Sequence, residues 1–277
     1  MIREFEGRVA VVTGAASGIG AALAHACVER GMKIVAADID AAGAEATAQR
    51  LGESAVAHTV DVADPHSVSA LADASFARWG QVDLLFNNAG VFQGGLTWER
   101  SVEDWEWTLG VNVYGIIHGI RNFVPRMIAQ ETPGHVVNTA SVAAFVGGPA
   151  SGPYVVSKCA ALSLSECLAW DLQAANSKIG ASVLTPSAFD TEIAGTARVR
   201  PASFGTDSTP DGKATAETLS GMLADRGAPP EEIIPPVFEA IESGTFLIAT
   251  KPSYRAQIQN RFDALMERKL PGLMEVD

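Results

Sequence analysis

Tyr154 and Lys158 stand four residues apart in a stretch that reads as helix, so their side chains share a face. A free phenol loses its proton near pH 10, about three units too high for a base at neutrality. An ammonium group one turn away favours the phenolate and lowers that value. Such a pair can move a proton to or from an alcohol oxygen. Ser141, 13 residues before Tyr154, is placed to hydrogen-bond the same oxygen and stabilise charge developing there. Asn112 lies upstream, within Val111-Asn112-Val113-Tyr114-Gly115.

A second group of residues suits a dinucleotide. Thr13-Gly14-Ala15-Ala16-Ser17-Gly18-Ile19-Gly20 joins an apolar run to a helical pattern. Glycines there let the backbone turn tightly against a pyrophosphate, and the helix N-terminus offers unpaired N–H donors. Gly14, Ser17, Gly18, Ile19 and Gly20 are the candidate contacts. Asp38, with Ile39 after it, ends the next apolar run, 18 residues past Gly20. Its carboxylate can accept hydrogen bonds from the adenosine ribose hydroxyls. It would repel a 2′-phosphate, and no Lys or Arg stands at 15–17 or 39 to offset that. A like-charge contact at an effective dielectric near 20 costs about 4 kcal/mol, so NAD is expected over NADP. Asp61-Val62 can serve the adenine edge, and Asn88, Ala89 and Gly90 close a fourth run beside them.

The elements that must position these residues alternate regularly. Strands are expected at 8–13, 33–38, 55–60, 82–87, 135–139, 180–184 and 245–249. Helices are expected at 19–30, 41–51, 66–78, from 105–114 on toward Met127, at 154–174, 231–242 and 254–269. The strands are nearly continuous apolar runs, which suits a parallel sheet covered on both faces. Strand–helix alternation of this kind argues for an α/β, Rossmann-type doubly wound sheet. Neither a repeat nor a linker divides the chain, so residues 1–277 are expected to form a single domain. The alternation fails between about 187 and 230, a long Ala-, Gly-, Ser-, Thr- and Pro-rich segment expected to act as a substrate lid.

The formal net charge of −12 argues against a nucleic-acid backbone or an anionic membrane surface as partner. No stretch approaches the length of a bilayer span, and the apolar run ending at Thr13-Gly14 reads as a strand rather than a signal peptide. Cys27, Cys159 and Cys167 form no disulfide framework, and neither they nor His25, His58, His66, His118 and His135 show metal-ligand spacing. A cytoplasmic, metal-free protein is expected.

Taken in order and spacing, Thr13-Gly14-x-x-x-Gly18-x-Gly20, Asn87-Asn88-Ala89-Gly90, Asn112, Ser141 and Tyr154-x-x-x-Lys158 resemble the short-chain dehydrogenase/reductase family from residue 7 to about 195. The resemblance implies seven parallel strands in the order 3-2-1-4-5-6-7, nicotinamide cofactor binding and a homotetramer or homodimer. It implies that Lys158 also binds the nicotinamide ribose, and that Asn112 holds a water in a proton relay. Pro186, a backbone contact at Phe189, and Thr191 at the carboxamide fall at cofactor positions. One departure is Pro186-Ser187, where the family usually has Pro-Gly; serine accepts a positive φ less readily.

The expected activity is hydride transfer between a secondary alcohol, or its ketone, and NAD. An NADH-dependent carbonyl reductase and a catalytically inactive NAD-binding regulator are the alternatives. Phe92, Val142, Phe145 and Val146, with Ser141 and Tyr154, are the expected pocket residues, suited to a neutral, apolar or aromatic small molecule. Trp98, Trp105 and Trp107 read as packing residues, and Arg198 and Arg200 as a solvated lid surface, with a grip on an anionic group as the alternative. The run 200–206 is similar to the branch that includes aryl-propane and benzylic alcohol Cα-dehydrogenases.

Overall fold

The computed structural model of the chain describes residues 2–206 and 209–274. Residues 207 and 208 of the expected lid, and 1 and 275–277 of the expected single domain, lie outside them.

Strand β1 (Val9–Thr13) is buried along its whole length, and its side chains divide between two cores by the strand's period of two. Ala10 and Val12 join one core with Leu23, Phe86, Val237 and Phe238. Val9 and Val11 join the other with Leu71, Phe123, Met127 and Leu172. Burial on both faces is what a continuous apolar run requires. The remaining strands are β2 (Lys33–Asp38), β3 (Ala55–Thr59), β4 (Leu84–Asn87), β5 (Gly134–Thr139), β6 (Ile179–Thr185) and β7 (Leu247–Ala249). They form one parallel sheet of seven strands in the order β3-β2-β1-β4-β5-β6-β7.

Helices α1 (Gly18–Glu29), α2 (Ala41–Leu51) and α3 (Pro65–Trp79) follow the first three strands. The long helix expected from 105 begins at Val102 and is interrupted. Helix α4 (Val102–Leu109) passes through a π turn, Gly110–Tyr114, into α5 (Gly115–Ala129). Helix α6 spans Gly152–Ala174, α8 spans Ile234–Ser243, and the C-terminal α9 spans Tyr254–Met266. None of the described helices is long and apolar enough to cross a membrane.

The segment 187–230 is more ordered than its composition suggests. It holds 3-10 turns at Glu192–Val199 and Ala202–Phe204, then a 17-residue helix, α7 (Pro210–Arg226). Thr209 caps that helix by accepting from the Gly212 N–H at 3.3 Å, and Pro210 occupies its first turn. Only Gly212 and Leu223 of α7 are buried, so it carries no apolar stripe to reveal it.

Asp83, buried before β4, accepts from the Val9 N–H, Arg8 Nη1 and Gln81 Nε2, each at 2.9 Å. It ties β1 to β4 at the edge away from the site. Asp83→Ala leaves half-buried Arg8 with only the Glu4 and Pro133 carbonyls in place of its carboxylate and is expected to lower stability by about 2–3 kcal/mol. A lower denaturant midpoint at constant slope would register that loss, and an unchanged midpoint would contradict it.

Candidate active site

The carboxyl ends of the strands open onto a cavity of about 610 Å³. Crevices at this edge of an open parallel sheet hold ligands, because the loops that follow the strands diverge there.

One end of the cavity is the turn between β1 and α1. Gly14 adopts φ +71°, and a Cβ there would stand 2.9 Å from the Ala89 Cα, so glycine is needed both for the backbone and for the contact. Ser17 caps α1 through its backbone alone, with no side-chain cap bond, and Gly18, Ile19 and Gly20 begin the helix beside it. The Asp38 carboxylate accepts from the Ala16 N–H at 2.9 Å and from the Asp40 N–H at 3.0 Å. Those bonds fix it at the cavity wall with Ile39, while Asp61 and Val62 line the same region.

The ends of β1, β4 and β5 are joined by side chains. The Thr13 hydroxyl accepts from the N–H groups of Asn88 at 3.0 Å and Ala89 at 3.1 Å. Asn88 Nδ2 donates to the Thr13 carbonyl at 3.1 Å, and Thr139 Oγ1 donates to Asn88 Oδ1 at 3.3 Å. Asn88, Ala89 and Gly90 thereby form the cavity floor.

Ser141, Tyr154 and Lys158 all reach the cavity. Lys158 Nζ donates to the Thr139 carbonyl at 3.1 Å and lies 5.5 Å from the Tyr154 ring centroid. Asn112, on the π turn, holds the loop beneath them. Its Oδ1 accepts from the Val91 N–H at 2.8 Å, and its Nδ2 donates to the Val91 carbonyl and to Ser157 Oγ, both at 2.9 Å. Ser157 in turn donates to the Tyr154 carbonyl at 2.7 Å. A Cβ on Gly90 would lie 3.4 Å from both Asn112 Oδ1 and Lys158 Nζ, so these two groups flank the same glycine. π turns recur at functional sites, and here the turn carries a member of the expected catalytic set.

Burial pushes the Tyr154 phenol above its ordinary value, and a hydrogen bond with Ser141 opposes the rise. Burial brings Lys158 down to about 8. Between pH 8 and the ordinary lysine value of 10.5 the unfolded chain keeps this proton and the folded chain sheds it. Wild-type stability is therefore expected to rise across that window relative to Lys158→Met. Urea titrations of both proteins at each end of the window measure the difference; parallel pH profiles would refute it.

Pro186, Phe189 and Thr191 line the cavity after β6. Ser187 is absent from the residues with positive φ, and its N–H donates to Thr250 Oγ1 at 3.0 Å. The expected strain at Pro186-Ser187 does not arise.

The apolar walls differ from expectation. Phe92, Val142, Phe145 and Val146 do not line the cavity. Phe92 packs on the Tyr154 ring with centroids 5.1 Å apart, while Val142 and Phe145 are buried in and beside the 3-10 turn that follows Ser141. Trp107, Val199, Phe204 and Leu223 line it instead. Trp107, read from sequence as packing, was detectable only through its place one turn before Val111. Arg198 is half-exposed and pairs with Glu192 at 2.8 Å, whereas Arg200 is buried rather than solvated. Ser157, needed to hold the site, has a small hydroxyl side chain that no spacing rule picks out, and Thr13, though it heads the glycine motif, gave no sign of its bonds to Asn88 and Ala89.

A family model described as short chain dehydrogenase matches residues 8–201. The C alpha-dehydrogenase of Sphingobium sp. (strain NBRC 103272 / SYK-6) is 34% identical over 280 residues, covering 100% of this chain and 90% of that protein. A CLA biosynthesis dehydrogenase/reductase of Lactiplantibacillus plantarum is 31% identical over 283 residues, covering 100% of this chain and 99% of that one. The crystal structure of a short chain dehydrogenase/reductase from Burkholderia phymatum in complex with NAD superposes with a TM-score of 0.96 at 39% identity, covering 99% of each chain.

Proposed function

The chain belongs to the short-chain dehydrogenase family, and from that premise we propose that it transfers hydride between a secondary alcohol, or the corresponding ketone, and NAD. The observation that carries this reading is one cavity with Tyr154, Ser141 and Lys158 at one end and the Gly14–Gly20 turn with Asp38 at the other.

The residues present fit a dinucleotide. A Cβ at Gly14 would close the turn, α1 presents N–H groups toward the cavity, and Asp38 keeps lone pairs for ribose hydroxyls after accepting its two backbone bonds. When bound, NAD supplies the hydride acceptor and a positive ring. Tyr154 takes the proton from the alcohol oxygen while Ser141 hydrogen-bonds that oxygen. Lys158 favours the phenolate by its charge and binds the nicotinamide ribose. Asn112 holds a water beside Lys158 through which the proton leaves. Pro186, Phe189 and Thr191 complete the nicotinamide end. The same groups run the reaction as a reduction with NADH.

Trp107, Val199, Phe204 and Leu223 favour an apolar or aromatic substrate. A panel of secondary alcohols with NAD, read as NADH absorbance, tests the reading: aromatic or long apolar alcohols should be oxidised fastest. Failure of every member, together with failure of the matching ketones with NADH, would sink it.

Exposed Tyr114 beside α5 and Val156 and Trp170 on α6 support a homodimer or homotetramer. Light scattering at micromolar concentration should report a multiple of the chain mass; a monomer would refute this.

A further inference from the structure

Two arginines outside the reacting groups are buried between the lid and α4. Arg200 Nη1 donates to Asp104 Oδ1 at 2.7 Å and to Gln93 Oε1 at 3.2 Å. Its Nη2 donates to the Phe204 carbonyl at 3.0 Å and its Nε to the Gly205 carbonyl at 2.8 Å. The guanidinium carbon lies 5.2 Å from the Trp107 ring centroid. Arg100 Nη1 lies 3.6 Å from the other Asp104 oxygen, and its Nη2 donates to Thr209 Oγ1 at 2.6 Å and to Asp211 Oδ2 at 3.0 Å. Gly95, at φ +114°, makes room: a Cβ there would stand 2.5 Å from the Arg100 guanidinium carbon.

The side chains of Arg200 and Asp104 are only 4% and 6% exposed. Burying such groups costs desolvation that a surface pair avoids, so stability alone is a poor explanation for them. A planar fork with rigid donors does specify geometry. Part of what this fork touches belongs to the cavity wall. Phe204 and Trp107 both line the cavity, and Asp104 stands at the start of the helix that carries Trp107. A capping box with Ser101 holds Asp104 itself in place.

We propose that the Arg200–Asp104 contact is a latch holding Trp107 and Phe204 as a fixed wall, which makes Arg200 a positioning residue for substrate it does not touch. The inference rests on the reading of this cavity as an alcohol-oxidising site. Arg200→Met should raise KM for the best alcohol about tenfold, with kcat within about threefold and KM for NAD within about twofold. Arg200→Lys keeps the charge, loses the fork, and should fall between wild type and Arg200→Met. An unchanged alcohol KM, or kcat and both KM values moving together, would overturn the latch.

Hydrogen exchange tests the latch without turnover. Amides of 192–206 and of α4 should exchange faster in Arg200→Met, and those of β1 and β4 should not change. Equal protection of the lid in both proteins would overturn the latch even with the activity established. A wild type silent on every alcohol and ketone would instead count against the oxidoreductase reading, and exchange would still decide the latch. If Arg200→Met does not fold, Arg200→Lys carries both measurements.

Discussion

Tyr154→Phe is expected to cut turnover by about 10³-fold while leaving NAD affinity nearly unchanged. The substitution removes one hydroxyl from a ring that packs against Phe92 and follows the helix start at Gly152, so neither the packing nor α6 changes. What is lost is the proton acceptor and its hydrogen bond with Ser141. In the protein itself, burial holds the phenol high and the Ser141 hydrogen bond only partly opposes it. The remaining fall must come from positive charge brought beside the ring, from Lys158 and from the cofactor. Steady-state rates and NAD titrations on the same preparation check both halves. Turnover within about tenfold of wild type would remove Tyr154 from the mechanism.

NAD should bind more tightly than NADP by as much as 10³-fold, roughly the 4 kcal/mol estimated for a carboxylate facing a 2′-phosphate. Asp38 cannot easily turn away, because the N–H groups of Ala16 and Asp40 hold one oxygen each. Asp38→Asn should narrow the preference and also weaken NAD, since its amide NH₂ must face one of those donors. Thermal shifts with each cofactor, for both proteins, measure this. Equal stabilisation of the wild type by NADP would overturn the role given to Asp38.

The parts legible in the sequence were those whose signal is local. Short apolar runs marked all seven strands, buried on both faces in β1, β4 and β5 and only partly buried in edge strands β3 and β7, and the glycine spacing after β1 marked the turn, because both constraints act within a few residues. The dehydrogenase resemblance supplied the strand order, which the sheet follows. Helix α7 escaped because it buries little and so has no period to read. The walls formed by Trp107, Val199, Phe204 and Leu223 come from four separate elements, and no pattern in the chain announces that they converge. Arg200 looked like a solvated charge for the same reason: its partners Gln93 and Asp104 lie about a hundred positions away.

The π turn at Gly110–Tyr114 has a consequence for what the chain tolerates. Each residue advances a regular helix by about 100°, so a wider turn acts as a phase slip between the two halves of the rod. The first half can aim Asp104 and Trp107 at the lid while the second aims Phe123 and Met127 at the sheet, with no single stripe having to serve both. Removing one residue from 110–114 would let the coil close up to ordinary pitch. The two halves would keep their directions, because a π turn takes about one residue more than an ordinary turn for the same rotation; what would be lost is the extra residue of the wide turn that carries Asn112.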